Sequence, residues 1–488
     1  MCRSIAVIPL LLAQVMHLYG QAPLPPPSSQ APVRTTQFDP DPPFQGEAYR
    51  LIREIGAHAR VYENLEALCD DIGGRPTGSP SLAKAQDWLK ARLRETGVKH
   101  IQEEAYGLPS TWLRGNARAQ LLTGNGQELR VAQIAWTPGT QGVLKAEVAE
   151  VGGKSIEELE LSLAAARGKI ALRGQTPLAP EGTPRLVFQK RLRALWESAE
   201  IKAILMSAKL PGNMVLTVGT PVKDSHQWTP RVPAAYLGQE HSNLLRRQLA
   251  RGKRVELSLD LGGRIVAGPA QAVNIIAEIP GSARPDEIVI LGAHLDSVDL
   301  ASGATDNGAG VVNLLEVLRG ILALNLRPAR TLRFIFFTGE ELEGLGSRAY
   351  VHDHAGELKN IQCVLVQDKG AGRILGWPTM GEEAWVPCLA EAMAPAYTIG
   401  CTQIIPGIIT QSDHDAFFEV GVPAFFAYQE SLDYWTVYHS DLDSFDHVVK
   451  ENLVQGCQAL AATAWGFAQM TRRVPHRSFV EDAANRAN

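Results

Sequence analysis

From Val273 onward the chain alternates short apolar runs with polar loops and with stretches whose hydrophobic residues recur at helical spacing. The apolar runs are Asp286–Ala293 (DEIVILGA), Leu332–Thr338 (LRFIFFT), Val364–Gln367 and Gly421–Tyr428 (GVPAFFAY). Runs this short and this apolar predict strands buried on both faces, as in parallel sheets covered by helices. Val311, Leu314, Leu315, Leu318, Ile321 and Leu322 predict one covering helix, and Leu453, Cys457, Leu460 and Ala464 predict another around Leu453–Phe467. Leu82, Ala85, Trp88, Leu89 and Leu93 share a face after the turn-rich GGRPTGSPS of Gly73–Ser81, so the part from about Gly46 reads as helical. Between Pro109 and Leu261 the pattern changes to short apolar pieces separated by Pro and Gly: Lys169–Leu172, Ala203–Met206, Met214–Val218 and Val255–Leu259. One or two helices are expected there, including Ser242–Ala250. The expected architecture is α/β. A mixed, mainly parallel sheet flanked by helices carries a strand-rich insertion, and Val273–Ile279 pairs at its edge with Ile288–Leu291.

The polar residues that end these runs carry the candidate chemistry. Glu340 and Glu341 follow Leu332–Thr338 directly and precede the turn-rich LEGLGS. A strand there delivers both carboxylates to its carboxyl end, the rim where ligands sit in open α/β sheets. Adjacent carboxylates are costly unless a cation or a shared proton separates them. One can hold a metal while the other acts as a base on the metal's water. His294 ends the run at Asp286–Ala293, and Asp296 lies on the same side of extended chain, placed to orient that imidazole. Asp306 and Asn307 stand at the predicted start of the helix through Val311. Asp368 ends the run at Val364–Gln367, and His439 follows Gly421–Tyr428. His294, Asp306, Glu341, Asp368 and His439 are therefore five candidate metal ligands in loops after strands. Two imidazoles with three carboxylates suit Zn²⁺ or a similar borderline ion, and five ligands suit two ions if one carboxylate bridges.

Length and composition narrow the setting. A chain of 488 residues favours two domains over one core. A 45% hydrophobic and 20% charged composition is that of an ordinary globular protein, and a net charge of −5 without a basic stripe argues against nucleic acid. Arg3, the apolar stretch Ile5–Met16 and small residues near Gly20 predict a signal peptide over 1–20, too short to span a bilayer. A Pro-rich linker over 21–45 follows, and no other segment is apolar enough for stable membrane insertion. The six cysteines show no CxxC spacing and assign no disulfide, and the candidate site uses no thiolate.

Six strings in order resemble metallopeptidase family 28, the co-catalytic zinc exopeptidases that include leucyl aminopeptidases and the carboxypeptidase Q branch. They are HLDS at His294–Ser297, TDNGAG at Thr305–Gly310, GEELEGLGS at Gly339–Ser347, VQD at Val366–Asp368, SDHDAFFEVGVPA at Ser412–Ala424 and YHSDLD at Tyr438–Asp443. The resemblance covers roughly Val273 to the C-terminus and, more weakly, Arg75–Gly97. It implies two Zn²⁺ ions per subunit: one on His294 and Asp368, the other on Glu341 and His439, with Asp306 bridging. It makes Glu340 the general base and Asp296 the brace of His294. Asn307, Ser440 and Gln367 depart from common family choices without removing a ligand.

The implied activity is that of an exported exopeptidase, aminopeptidase or dipeptidase, acting on short peptides. Carboxypeptidase Q-type cleavage, or a non-peptidase amide hydrolase or acyltransferase on the same scaffold, is the alternative, and the resemblance admits a homodimer. The implied organisation is 46–108 as the helical start of the catalytic domain, 109–261 as a protease-associated-like insertion, 262–472 as the zinc exopeptidase domain and 473–488 as a disordered tail. His352, Asp353 and His354 read as solvated helix surface. Asp413 and His414 read as residues that position the metal loop, and Tyr438 as an oxyanion donor or an interface tyrosine.

Overall fold

The computed structural model describes residues 44–220 and 229–477. The expected signal peptide (1–20), nearly all of the linker (21–45) and most of the tail lie outside the described residues. The central sheet contains β1 (His100–Leu113), β2 (Arg264–Ile279), β3 (Arg284–His294), β4 (Arg330–Phe337), β5 (Ile361–Val366) and β6 (Ala424–Phe426), in spatial order β1-β2-β4-β3-β5-β6. β3 runs parallel to β4 and β5, β5 parallel to β6, and β2 antiparallel to β4.

Alternation along the strands explains why both faces are covered. Val289, Leu291, Ala293, Phe334 and Phe336 join one apolar cluster, while Ile288, Ile290, Ile335 and Phe337 join another. On the first face, Lys450–Gln469 packs against Gln45–His58 and Ala309–Ala323. The second face holds Tyr350 and Val351 of helix Leu345–Asp353, together with Phe417.

Four expectations outside the strand-rich insertion need correction. Val273–Ile279 does not pair with Ile288–Leu291: Ile275 lies opposite Phe336 and Ile279 opposite Leu332, with β1 outside them. Apolarity marks a strand as buried without naming its neighbour. Here the Ala309–Ala323 crossover returns β4 to the position between β2 and β3. Gly281 passes so close to the start of β4 that a Cβ would come within 2.7 Å of the Arg330 carbonyl carbon. Second, Gly421–Tyr428 is not one strand. Ala424–Phe426 joins the central sheet, and Tyr428–Gln429 pairs instead with Ile374–Pro378 in a small three-stranded sheet. Third, the tail is ordered through Arg477, because Val474 is buried, Trp385 Nε1 donates to Pro475 O at 2.7 Å and Arg477 N donates to Gly421 O at 3.0 Å.

The fourth concerns His354. Its Nε2 lies 3.0 Å from Glu104 Oε1 and its Nδ1 2.7 Å from Glu357 Oε1, and its ring stacks on Tyr350 at 4.2 Å. Arg333 joins the same network through Glu278, Glu357 and the Tyr350 hydroxyl. Hydrogen bonds from Glu104 and then Glu357 raise the His354 imidazole from 6.5 to about 9. A value raised in the folded state gives stability that is fully present below pH 6.5 and lost as pH rises through about 9. His354→Gln is therefore expected to cost roughly 2 kcal/mol in chemical denaturation at neutral pH. That cost should fade in titrations carried past the raised value, and a cost constant with pH would contradict the pairing.

The chain divides into two compact units. Among the described residues, the larger comprises 44–108, 270–438 and 443–477, and the smaller 109–220, 229–269 and 439–442. The smaller unit has its own eight-stranded sheet, with strands Ile170–Arg173, Ala203–Ser207 and Glu256–Leu261 where apolar pieces predict them. It carries three helices, Ile156–Ala165, Arg185–Ser198 and Gln239–Ala250. Met214–Val218 is not a ladder strand. Its donors are taken instead by His439–Leu442: Thr217 N–H by His439 O and Val215 N–H by Asp441 Oδ1, with one bridge from Leu216 to Ser440. The five described cysteines are buried thiols, none in a disulfide.

Candidate active site and metal centre

Parallel pairing of β4, β3 and β5 aligns their carboxyl ends, and the polar residues converge there. His294 closes β3, Glu340 and Glu341 lie in the turn after β4, and Asp368 follows β5. His294 Nε2 is 2.9 Å from Asp368 Oδ1, 3.2 Å from Asp306 Oδ1 and 3.9 Å from Glu340 Oε2. His294, Asp306 and Glu341 each present a ligand atom within 4.8 Å of the others, as do His294, Glu340 and Asp368. His439 belongs to neither group. It lies in the short stretch that clusters with the smaller unit, at φ 53°, with its carbonyl accepting from Thr217.

The helix after Asp306 begins only at Ala309. Asn307 Oδ1 accepts from Gly310 N at 3.1 Å, while Asp306 keeps extended backbone angles, φ −129° and ψ 92°. The capping work thus falls to Asn307 and leaves the Asp306 carboxylate to face His294. Asp296 orients His294 through its main chain: His294 Nδ1 is 2.9 Å from Asp296 O and 3.6 Å from its carboxylate. That carboxylate accepts instead from Thr77 Oγ1 at 2.6 Å and from the Glu340 amide at 3.4 Å.

Electrostatics favour a cation. Burial pushes the Glu340 carboxyl well above its ordinary range; His294 opposes the rise, and Asp368, Glu341 and Asp413 add to it. Burial likewise raises Asp368 against the pull of His294. Burial works against charge on His294, yet Asp368 and Glu340 hold its imidazole well above the usual value. His294 and the buried Arg75 guanidinium are outnumbered by the carboxylates around them, and oxygen and imidazole donors at these separations suit a divalent ion. The residues present fit a metal.

Several supporting residues carry no signal in the apolar pattern. Arg75 is fully buried. Its guanidinium donates to Leu295 O at 2.8 Å and Gly303 O at 2.9 Å, and also to Ser302 O, tying the His294 loop to the Asp306 loop. Asp443 accepts from Thr305 N at 2.7 Å, Thr305 Oγ1 at 2.8 Å and Asp306 N at 3.0 Å, and burial pushes its carboxyl up to about 7. Asn307 Nδ2 donates to Gln367 O at 2.8 Å, and Gln367 Oε1 accepts from Asn313 at 3.0 Å. Tyr106 donates to Thr338 O at 2.6 Å, just before the glutamate pair.

Asp413 is buried near His294, its carboxyl pushed up to about 7 by burial. His414 turns away to Ile409 O at 2.7 Å. Tyr438 packs in an aromatic group with Tyr434 at 5.3 Å and Trp435 at 5.6 Å. Burial and the nearby charges of Asp306 and Asp368 hold the Tyr434 phenol well above its usual range.

A family model described as peptidase family M28 matches residues 274–464. Carboxypeptidase Q of Xenopus laevis is 30% identical over 396 residues, covering 80% of this chain and 81% of that protein. Leucine aminopeptidase 1 of Coccidioides posadasii is 31% identical over 205 residues, covering 36% of this chain and 52% of that protein. The crystal structure of a peptidase M28 precursor from Shewanella amazonensis superposes with a TM-score of 0.75 at 27% identity, covering 89% of this chain and 98% of that one.

Proposed function

This chain belongs to peptidase family M28, and from that membership we propose that it is an exported zinc exopeptidase that hydrolyses bonds at the ends of short peptides. The carrying observation is the approach of His294 Nε2 to both Asp368 and Asp306, at 2.9 and 3.2 Å, with Glu340 at 3.9 Å. His294 and Asp368 would hold one ion, Asp306 would bridge, and Glu341 would hold the second. His439 is assigned to that second ion by resemblance alone. When bound, two zinc ions would polarise a scissile carbonyl and lower the pKa of water toward roughly 7. Glu340 would take the proton from that water and hand it to the leaving amine. Asp296 fixes the imidazole and the Glu340 main chain together. The smaller unit is read as a protease-associated-like insertion, and the segment 1–20 as the export signal. No helix among the described residues is long and apolar enough to cross a membrane.

Aminopeptidase or dipeptidase action is the leading reading. Carboxypeptidase action is favoured by one observation: similarity to carboxypeptidase Q runs through most of the chain, whereas similarity to the leucine aminopeptidase covers 36% of it. Products identified by mass from free, acetylated and amidated dipeptides and tripeptides separate the two. Removal of metal by a chelator is expected to abolish hydrolysis, and added Zn²⁺ to restore it. Undiminished cleavage by the metal-free protein contradicts the reading.

A further inference from the structure

The metal reading leaves unused a cation directly beside a ligand. Lys369 follows Asp368 and is 5% exposed. Its Nζ lies 5.5 Å from the Tyr428 ring centroid and 5.7 Å from that of Trp435. Among the described residues no carboxylate pairs with this ammonium within 4.0 Å, and no hydrogen bond engages it. Taking an ammonium out of water is costly, and ring faces recover only part of that cost. The loop that presents it is held firmly. Gln429 Nε2 donates to Gly370 O at 3.0 Å and to Gly372 O at 2.9 Å. Gly370 adopts φ +84° against Tyr434, where a Cβ would stand 3.0 Å from Cδ2. Tyr434, which borders Asp306 and Asp368, packs edge-on against Trp435 at 5.0 Å. A buried, fixed ammonium in an aromatic cradle is short of one thing, an anion.

We propose that Lys369 binds the free α-carboxylate of the substrate, so that the site selects dipeptides. The inference rests on the peptidase reading above. Trp435, whose ring lies under the ammonium, packs on Tyr434, which stands beside Asp306 and Asp368, so one aromatic layer links the cation to the ligand group. The aromatic walls keep water away and strengthen the ion pair. A dipeptide cut at its single peptide bond brings one main-chain anion to the site, its terminal carboxylate.

The test compares kcat and KM for leucyl-alanine, leucyl-alaninamide, N-acetyl-leucyl-alanine and leucyl-glutamic α-amide, using the zinc-loaded full chain. The wild-type protein is compared with Lys369→Met and Lys369→Arg, each checked for equal metal content and melting temperature. The expected result is a wild-type preference for acid over amide that falls roughly 30-fold in Lys369→Met, through KM rather than kcat, with substantial recovery in Lys369→Arg. An equal loss on acid and amide identifies a structural lysine and overturns the inference. A Lys369 dependence confined to the glutamic α-amide makes the anion a side chain and also overturns it. A wild-type protein that cuts all four without preference overturns the Lys369 assignment while leaving the peptidase reading standing. A wild-type protein that cuts none overturns the peptidase reading itself, and this inference with it.

Discussion

Glu340→Gln is expected to lower turnover roughly 10³-fold while zinc content stays unchanged. Glutamine keeps the shape of the side chain and cannot take up a proton. Glu340 sits where a base is needed, its Oε2 3.9 Å from His294 Nε2 and its amide held toward the Asp296 carboxylate at 3.4 Å. The amide contact does not involve the side chain, and glutamine keeps one oxygen that can face His294. The variant should therefore fold, load metal and bind substrate with a near-normal KM, and fail in the chemical step. Turnover near that of the wild type would remove Glu340 from the reaction. Loss of metal along with activity would make it a ligand instead of a base.

Asp306→Ala is the second large effect and reads out differently. The Asp306 carboxylate is 3.2 Å from His294 Nε2, and it belongs with His294 and Glu341 to one ligand group. Removing a carboxylate shared by two ions should release metal as well as activity. Even the loss of partners outside the ligand set weakens metal binding by about 10–100-fold, so the loss here should exceed 100-fold, with metal per chain falling below two. Asp443→Asn approaches the same carboxylate from behind. The Asp443 oxygens hold Thr305 and the Asp306 amide at 2.7–3.0 Å. A metal affinity weaker by about 10–100-fold is expected there, with Glu340 untouched. Full occupancy by two ions in Asp306→Ala would refute the bridging role.

The two variants should separate if proton transfer and metal retention rest on different side chains of one rim. That rim was legible in the sequence to an unusual degree, and the reason is geometric. Each buried strand ends where its apolar run ends, so Glu340, His294 and Asp368 could be placed at carboxyl ends before any contact was known. Parallel register then brought those ends together.

Properties that depend on partners distant in sequence were not legible. Apolarity could not say that β4 would slip between β2 and β3, because the paired stretches of all three are equally fit to be buried. His354 looked like helix surface because Glu104 lies 250 residues away, and Val474 looked like tail because its contact with the core is tertiary. Arg75 sits in a string dense with turn residues, and nothing local says that its guanidinium will collect three carbonyls from other loops. Lys369 was visible only as the residue after a ligand, and its burial against Tyr428 and Trp435 gives it meaning. His439 remains assigned by the order of the family strings, since the ligand groups gathered around His294 do not include it.

The most direct measurement is an anomalous difference map, recorded at the zinc absorption edge from crystals of the zinc-loaded protein. The account predicts two peaks about 3.5–4 Å apart. One should lie against His294 and Asp368 and the other against Glu341, with Asp306 touching both. No peak beside His294, or a lone ion bound elsewhere in the chain, would contradict it.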